Sequence, residues 1–131
     1  MPSKAHDTIA ALIVRSMRGQ GYEPVSADVR EILFGDPTLP TSQVIGKHRP
    51  DLIGFRKADR RVCVGEAKTT ADIRSQRTKE EIQDFAMCDE IDLFIGIPSD
   101  GIHYLNEVLN TLGLQTKRNI QRVVVPKGLL S

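Results

Sequence analysis

Two short polar segments hold the residues of this chain that are best suited to chemistry. Asp51 closes Arg49-Pro50-Asp51, and Glu66 and Lys68 stand in Gly65-Glu66-Ala67-Lys68. Each segment adjoins a stretch with strand character, so two carboxylates and an amine belong to neighbouring strands. Carboxylate oxygens are the ligands that hard divalent cations take. A cation held beside a scissile phosphodiester orients or activates water and stabilises developing charge. The three side chains therefore carry the donor set for metal-assisted phosphodiester hydrolysis. The Glu-x-Lys spacing alone carries little weight, because at average Glu and Lys usage a chain of this size has a chance copy in about one protein of two. Placement must supply the specificity.

The elements that provide placement can be read from periodicity and punctuation. Asp51-Leu52-Ile53-Gly54-Phe55 and the run from Arg61 to Lys68 flank the polar segment 56–60, which has the length of a hairpin connection. An antiparallel pair sets residue 51 opposite residues 66–68, where the carboxylates converge. Strand alternation puts Val62, Val64, Glu66 and Lys68 on one face and Cys63, Gly65 and Ala67 on the other. The small-residue face invites the close approach of a helix. The alternative reading for Glu66 and Lys68 is a solvated pair on an edge strand.

Around this pair, Ile9, Leu12, Ile13 and Met17 recur at helical spacing between Ser3 and Gln20, ahead of a stop at Gly19-Gln20-Gly21. Residues 22–25 read as a short strand, and Ser26 as a cap for a turn of helix carrying Val29, Ile32 and Leu33. The glycine, prolines and small polar residues of 35–42 predict an exposed loop. Thr78-Lys79-Glu80-Glu81 has the form of a capping box, which predicts a helix start at Thr78. Leu93-Phe94-Ile95-Gly96-Ile97 reads as a strand covered on both faces. Ser99 or Asp100 is the expected cap of a helix with its stripe at Ile102, Leu105, Leu109 and Leu112, and Val123-Val124-Val125 is the last strand. The order of helix, strand, strand pair, helix, strand, helix, strand predicts an α/β protein, a three-layer α/β/α sandwich around a central mixed β-sheet.

Composition limits the rest. The 131 residues predict one domain, residues 1–131, too small for an enzyme and a separate recognition domain. Lys and Arg number 18 against 17 Asp and Glu, a net charge of +1, so any footprint for a polyanion must be local. Lys47, His48 and Arg49 lead into Asp51, and Arg74, Arg77 and Lys79 follow Lys68, which makes these six the candidate nucleic-acid contacts. Arg56, Lys57, Arg60 and Arg61 decorate the hairpin tip and read more simply as a solvated turn guarding a sheet edge. Thr69 and Thr70 are ordinary strand-end threonines. Cys63 and Cys88 form no Cys/His cluster and are expected to be reduced core thiols. Neither a signal segment nor a long apolar run is present, so a cytoplasmic protein without a membrane role is expected.

Pro50-Asp51 and Glu66-Ala67-Lys68, in this order of elements, resemble the two half-motifs of the PD-(D/E)XK nuclease superfamily. The resemblance covers roughly residues 5–97 and implies that superfamily's restriction-endonuclease-like αβββαβ core. It implies magnesium, with manganese as a substitute, held by Asp51, Glu66 and the Ala67 carbonyl, and Lys68 positioning the attacking water. It implies a catalytic Gln83 on the helix after the second half-motif. Many members add a first-helix Glu; this chain has none, and Asp7 is the nearest candidate ligand, with His6 competing for the role. The implied activity is that of an endodeoxyribonuclease in repair, recombination or mobile-element defence, acting as a homodimer or within a larger complex. The rival from another class is a catalytically inactive nucleic-acid-binding or accessory module on the same fold.

Overall fold

The computed structural model describes residues 4–28 and 39–130. The helix Val29-Ile32-Leu33, and residues 35–38 of the expected loop, lie outside them. Helix α1 (Lys4–Gly19) leads through Gly21, whose φ of 86° makes the stop, into strand β1 (Glu23–Ala27). The hairpin is β2 (Leu52–Arg56) and β3 (Arg61–Ala67). Helix α2 (Gln76–Ala86), strand β4 (Ile91–Pro98), helix α3 (Ile102–Thr111) and strand β5 (Ile120–Val125) follow. The described residues thus form a mixed α/β structure with three α-helices and one five-stranded sheet in the order β1-β2-β3-β4-β5. The first three strands are antiparallel, whereas β3, β4 and β5 run parallel through the helical crossovers.

The sheet buries its two faces against different helices. On one, Ile9, Ile13 and Met17 of α1 pack with Leu52, Cys63, Ala67 and Phe94; on the other, Ile82 and Phe85 of α2 and Leu105 and Leu109 of α3 pack with Val64, Leu93 and Ile95. The alternation expected along β3 is therefore the division between the two cores.

Glycines on the first face bring α1 close. A Cβ on Gly65 would stand 2.7 Å from Met17 Cε, and one on Gly96 would stand 2.5 Å from Ile9 Cγ2 and 2.7 Å from Ile13 Cδ1. These separations are below ordinary contact, so α1 occupies the space that a side chain would need. The consequence reaches the candidate site, since α1 delivers His6.

Three expectations are corrected. Helix α2 starts at Gln76, not Thr78: Ser75 accepts the Thr78 N–H at 3.1 Å, and Thr78 is buried, its hydroxyl donating to the Asp72 carbonyl at 2.9 Å. An oxygen three residues earlier takes the cap and leaves Glu81 free of that duty. Neither Ser99 nor Asp100 caps α3; they form a 3₁₀ turn (Ser99–Gly101), with Ser99 accepting from the Lys127 N–H and Asp100 from Thr70. Ser26, expected as a cap, is buried within β1.

The packing of α1 gives a direct test. Gly96→Ala should destabilise the protein by about 1–3 kcal/mol, the usual penalty for overpacking a filled core. Urea unfolding measures it, and unchanged stability would mean that α1 does not sit this close.

Candidate active site

The site begins with strand register. Leu52 pairs with Gly65, which sets Asp51, one residue outside the ladder, opposite Glu66. Pro50 precedes it without an N–H to give to the sheet. The Asp51 carboxylate accepts the Ala67 N–H at 2.8 Å, which ties the two polar segments together. The same oxygen, Oδ2, lies 3.2 Å from His6 Nε2 on α1.

Glu66 is 2 % exposed, and its Oε1 has no hydrogen-bond partner. The edge-strand alternative is thereby overturned: β3 is the middle strand, and Glu66 points into the protein. Burial, with the Asp51 charge next in importance, raises the Glu66 carboxyl well above its ordinary range. Burial acts the same way on Asp51, but hydrogen bonds with His6, Glu66 and the Ala67 N–H outweigh it and bring Asp51 below its ordinary value. Two buried acids thus share one small space with opposite displacements. The His6 imidazole is shifted up, chiefly through its hydrogen bond to Asp51 against the opposing effect of burial.

Lys68 sits just past β3, its N–H donating to the Gly96 carbonyl at 2.9 Å. Its ammonium lies 2.7 Å from Glu81 Oε1 and 3.9 Å from Glu66 Oε2. Burial disfavours the charged amine, yet Glu66 and Glu81 more than offset that and raise it above the ordinary lysine value. Arg77 Nε, one turn earlier on α2, stands 3.9 Å from the same Glu81 oxygen.

The residues expected at the site divide clearly. Asp51, Glu66, Ala67 and Lys68 are brought together. Gln83 is not among them: it is exposed on α2 beside Asp84 and Met87, facing the α3 end at Leu112 and Leu114. Glu81, two residues earlier, is the α2 side chain that reaches the site, and the capping-box reading hid it. On α1, the side chain that touches Asp51 is His6; Asp7 has a buried Oδ1 without a partner and makes no described contact with Asp51 or Glu66.

Among the expected nucleic-acid contacts, His48 Nδ1 lies 2.7 Å from Asp84, and the Lys47 N–H donates to the same carboxylate at 3.0 Å, so this loop is fastened to α2. Arg49 donates to the Ser42 carbonyl, Arg74 lies over the Tyr104 ring, and Arg77 and Lys79 belong to α2. At the hairpin tip Arg56 pairs with Asp59, and Arg61 with Asp92, which also accepts the buried Tyr22 hydroxyl at 2.6 Å. Those arginines hold the far end of the sheet together. Cys63 is buried, its thiol pushed up to about 12 by burial, whereas Cys88 is exposed rather than in the core.

Among the described residues no group of three or more His, Cys, Asp or Glu side chains forms a cluster able to hold a metal unaided. The donor set nevertheless fits a single magnesium: two carboxylates, one with an unpartnered buried oxygen, and the Ala67 carbonyl, all oxygen ligands. Magnesium keeps several waters, so a few protein ligands suffice. Comparison with known proteins gives no match among family models, curated proteins or solved structures.

The buried acid pair has a measurable consequence. A carboxyl whose value is raised by folding binds its proton more tightly in the folded state, so stability is lost as pH rises from the ordinary carboxylate range through the folded value. In metal-free buffer, Glu66→Gln should therefore stabilise the protein near pH 8, by about 1 kcal/mol or a few degrees in melting temperature. Thermal unfolding of the two proteins at acid and mildly alkaline pH reads the difference, and a variant that melts lower at both would refute the strained-pair account.

Proposed function

We propose that this chain is a divalent-metal-dependent endonuclease that hydrolyses phosphodiester bonds in DNA, built as a PD-(D/E)XK nuclease. The observation that carries the reading is the Ala67 N–H bonded to Asp51, which ties the aspartate to the end of the strand that carries Glu66 and leads into Lys68. The helices on opposite sheet faces and the order α1-β1-β2-β3-α2-β4 are consistent with a three-layer sandwich of restriction-endonuclease-like core.

Asp51, Glu66 and the Ala67 carbonyl are the residues that would hold magnesium or manganese. Bound there, the metal supplies Lewis-acid polarisation of the phosphate and a more acidic water. Lys68 lies 3.9 Å from Glu66 and orients the nucleophilic water beside the carboxylates. Glu81 holds the Lys68 ammonium in place and keeps it charged. His6 braces Asp51 from the opposite face of the sheet. Homodimer formation, or service within a larger DNA-processing assembly, would supply the recognition surface that one small chain lacks.

A non-catalytic DNA-binding module is the second reading. It is favoured by the tight Lys68–Glu81 pair, which withdraws the ammonium from Glu66, and by the absence of a described first-helix carboxylate contact at Asp51.

Purified protein with magnesium should cut some member of a panel of linear, nicked, flapped and four-way DNA. Glu66→Gln and Lys68→Ala should each lower cleavage by about 100-fold or more. Magnesium or manganese should raise the melting temperature of the wild type and not of Glu66→Gln. Metal binding without cleavage of any substrate would favour the module, and cleavage indifferent to both substitutions would remove the site from the reaction.

A further inference from the structure

The turn that leaves the candidate site ends against an aromatic pair. Arg74 Cζ lies 4.3 Å from the centroid of the Tyr104 ring, and the rings of Tyr104 and His103 lie 3.9 Å apart at 39°. Arg74 and His103 are exposed and Tyr104 half-buried, so the group presents rings and a guanidinium to solvent. Arg74 has no carboxylate partner among the described residues, unlike Arg56, Arg61 and Arg77, each of which faces one.

The group is fixed in place. Thr70 donates to Asp100 at 2.8 Å, joining the turn to the β4–α3 junction. Ile73, fully buried, anchors the turn in the α2–α3 core, and Ser75 closes it by capping α2. Such anchoring removes the ordering penalty that a mobile arginine would bring to binding. The chain from Lys68 to Arg74 spans at most about 22 Å even fully extended, a reach of a few nucleotides.

We propose that Arg74, Tyr104 and His103 form a stacking platform for an unpaired base of a DNA strand entering the candidate site. The substrate class it selects is DNA with a single-stranded segment: a flap, an overhang or a frayed branch. The chemistry is that of sequence-tolerant single-strand binding, in which aromatic faces stack on bases and arginine adds cation–π contact and phosphate attraction. A base inside a duplex has both faces covered and cannot use the platform. Arg77, 81 % exposed on its side chain and three residues past Arg74 on α2, stands 3.9 Å from the Glu81 oxygen that holds Lys68 and offers the strand a second cation. The choice of substrate rests on the nuclease reading, whereas the platform itself is testable without cleavage.

Fluorescence anisotropy in EDTA with labelled single-stranded, blunt duplex and overhanging DNA makes that test. His103→Ala and Arg74→Ala, both at exposed positions that tolerate truncation, should weaken single-stranded and overhanging DNA by about 5- to 100-fold each, and Tyr104→Leu should do the same if circular dichroism shows it folded. Blunt duplex should change by less than about twofold for His103→Ala, because that loss is one of stacking. Equal losses on duplex and single strand, a loss with Arg74→Ala but none with His103→Ala, or a wild type that binds no single strand would overturn the platform; the middle outcome would mark Arg74 as a general anion contact. The two readings separate cleanly. Selective binding without magnesium-dependent cleavage keeps the platform and removes the nuclease, and cleavage with no selectivity in the variants does the reverse.

Discussion

The hydrogen bond from the Ala67 N–H to Asp51 is the constraint around which the structure is arranged. It forms only if β2 and β3 pair with Leu52 opposite Gly65, because a slip of one residue would exchange the faces of every side chain on the strand. That register is enforced from both sides of the sheet. Gly65 must meet Met17 and Ile13 of α1, and Val64 must meet the α2–α3 core, so a shifted β3 would drive side chains into α1 and strip the second core. The packing of two apolar layers thus determines where a polar contact falls.

The same arrangement explains the electrostatic tension at the site. Glu66 is carried inward by the alternation that buries Val64, its Oε1 is left without a hydrogen bond, and a buried carboxylate without full hydrogen bonding is unfavourable. Its neighbours divide the compensation. His6 and the Ala67 N–H serve Asp51, and Lys68 is drawn mainly to Glu81. Glu66 is left with the poorest company and keeps its proton to higher pH. Strain of this kind is characteristic of places where a protein gives up stability for a function.

Much of this was legible in the residues. The hairpin, its antiparallel sense and the encounter of residue 51 with residues 66–68 follow from local signals: strand runs, a turn of suitable length, and period-two alternation. The small face of β3 correctly foretold a close helix. What could not be read was set by long-range geometry. Ser75 takes the cap by accepting the Thr78 N–H, and Thr78, inside the first turn, donates its hydroxyl to the Asp72 carbonyl, contacts that exist only once the turn at 69–75 has formed. Gln83 was expected from the resemblance alone, and the face of α2 that meets Lys68 carries Glu81 instead. His6 was visible only as Asp7's competitor, because a helix's angle to a sheet is not encoded in its own periodicity. Residues Ser99 and Asp100 misled in the same way, their polar groups being claimed by Lys127 and Thr70 from distant parts of the chain.

The charge arithmetic of the site carries the argument one step further. Asp51, Glu66 and Glu81 are three acids within one small volume, facing the ammonium of Lys68, the imidazole of His6 and the distant guanidinium of Arg77. Lys68 cannot neutralise two glutamates at once, and its 2.7 Å and 3.9 Å separations show that Glu81 holds the better claim. Because interactions strengthen as water is excluded, the unmet demand is concentrated at Glu66 and Asp51 rather than spread over the surface. On the proposed nuclease reading, a divalent cation held by those two acids would satisfy both and leave the Lys68–Glu81 pair intact.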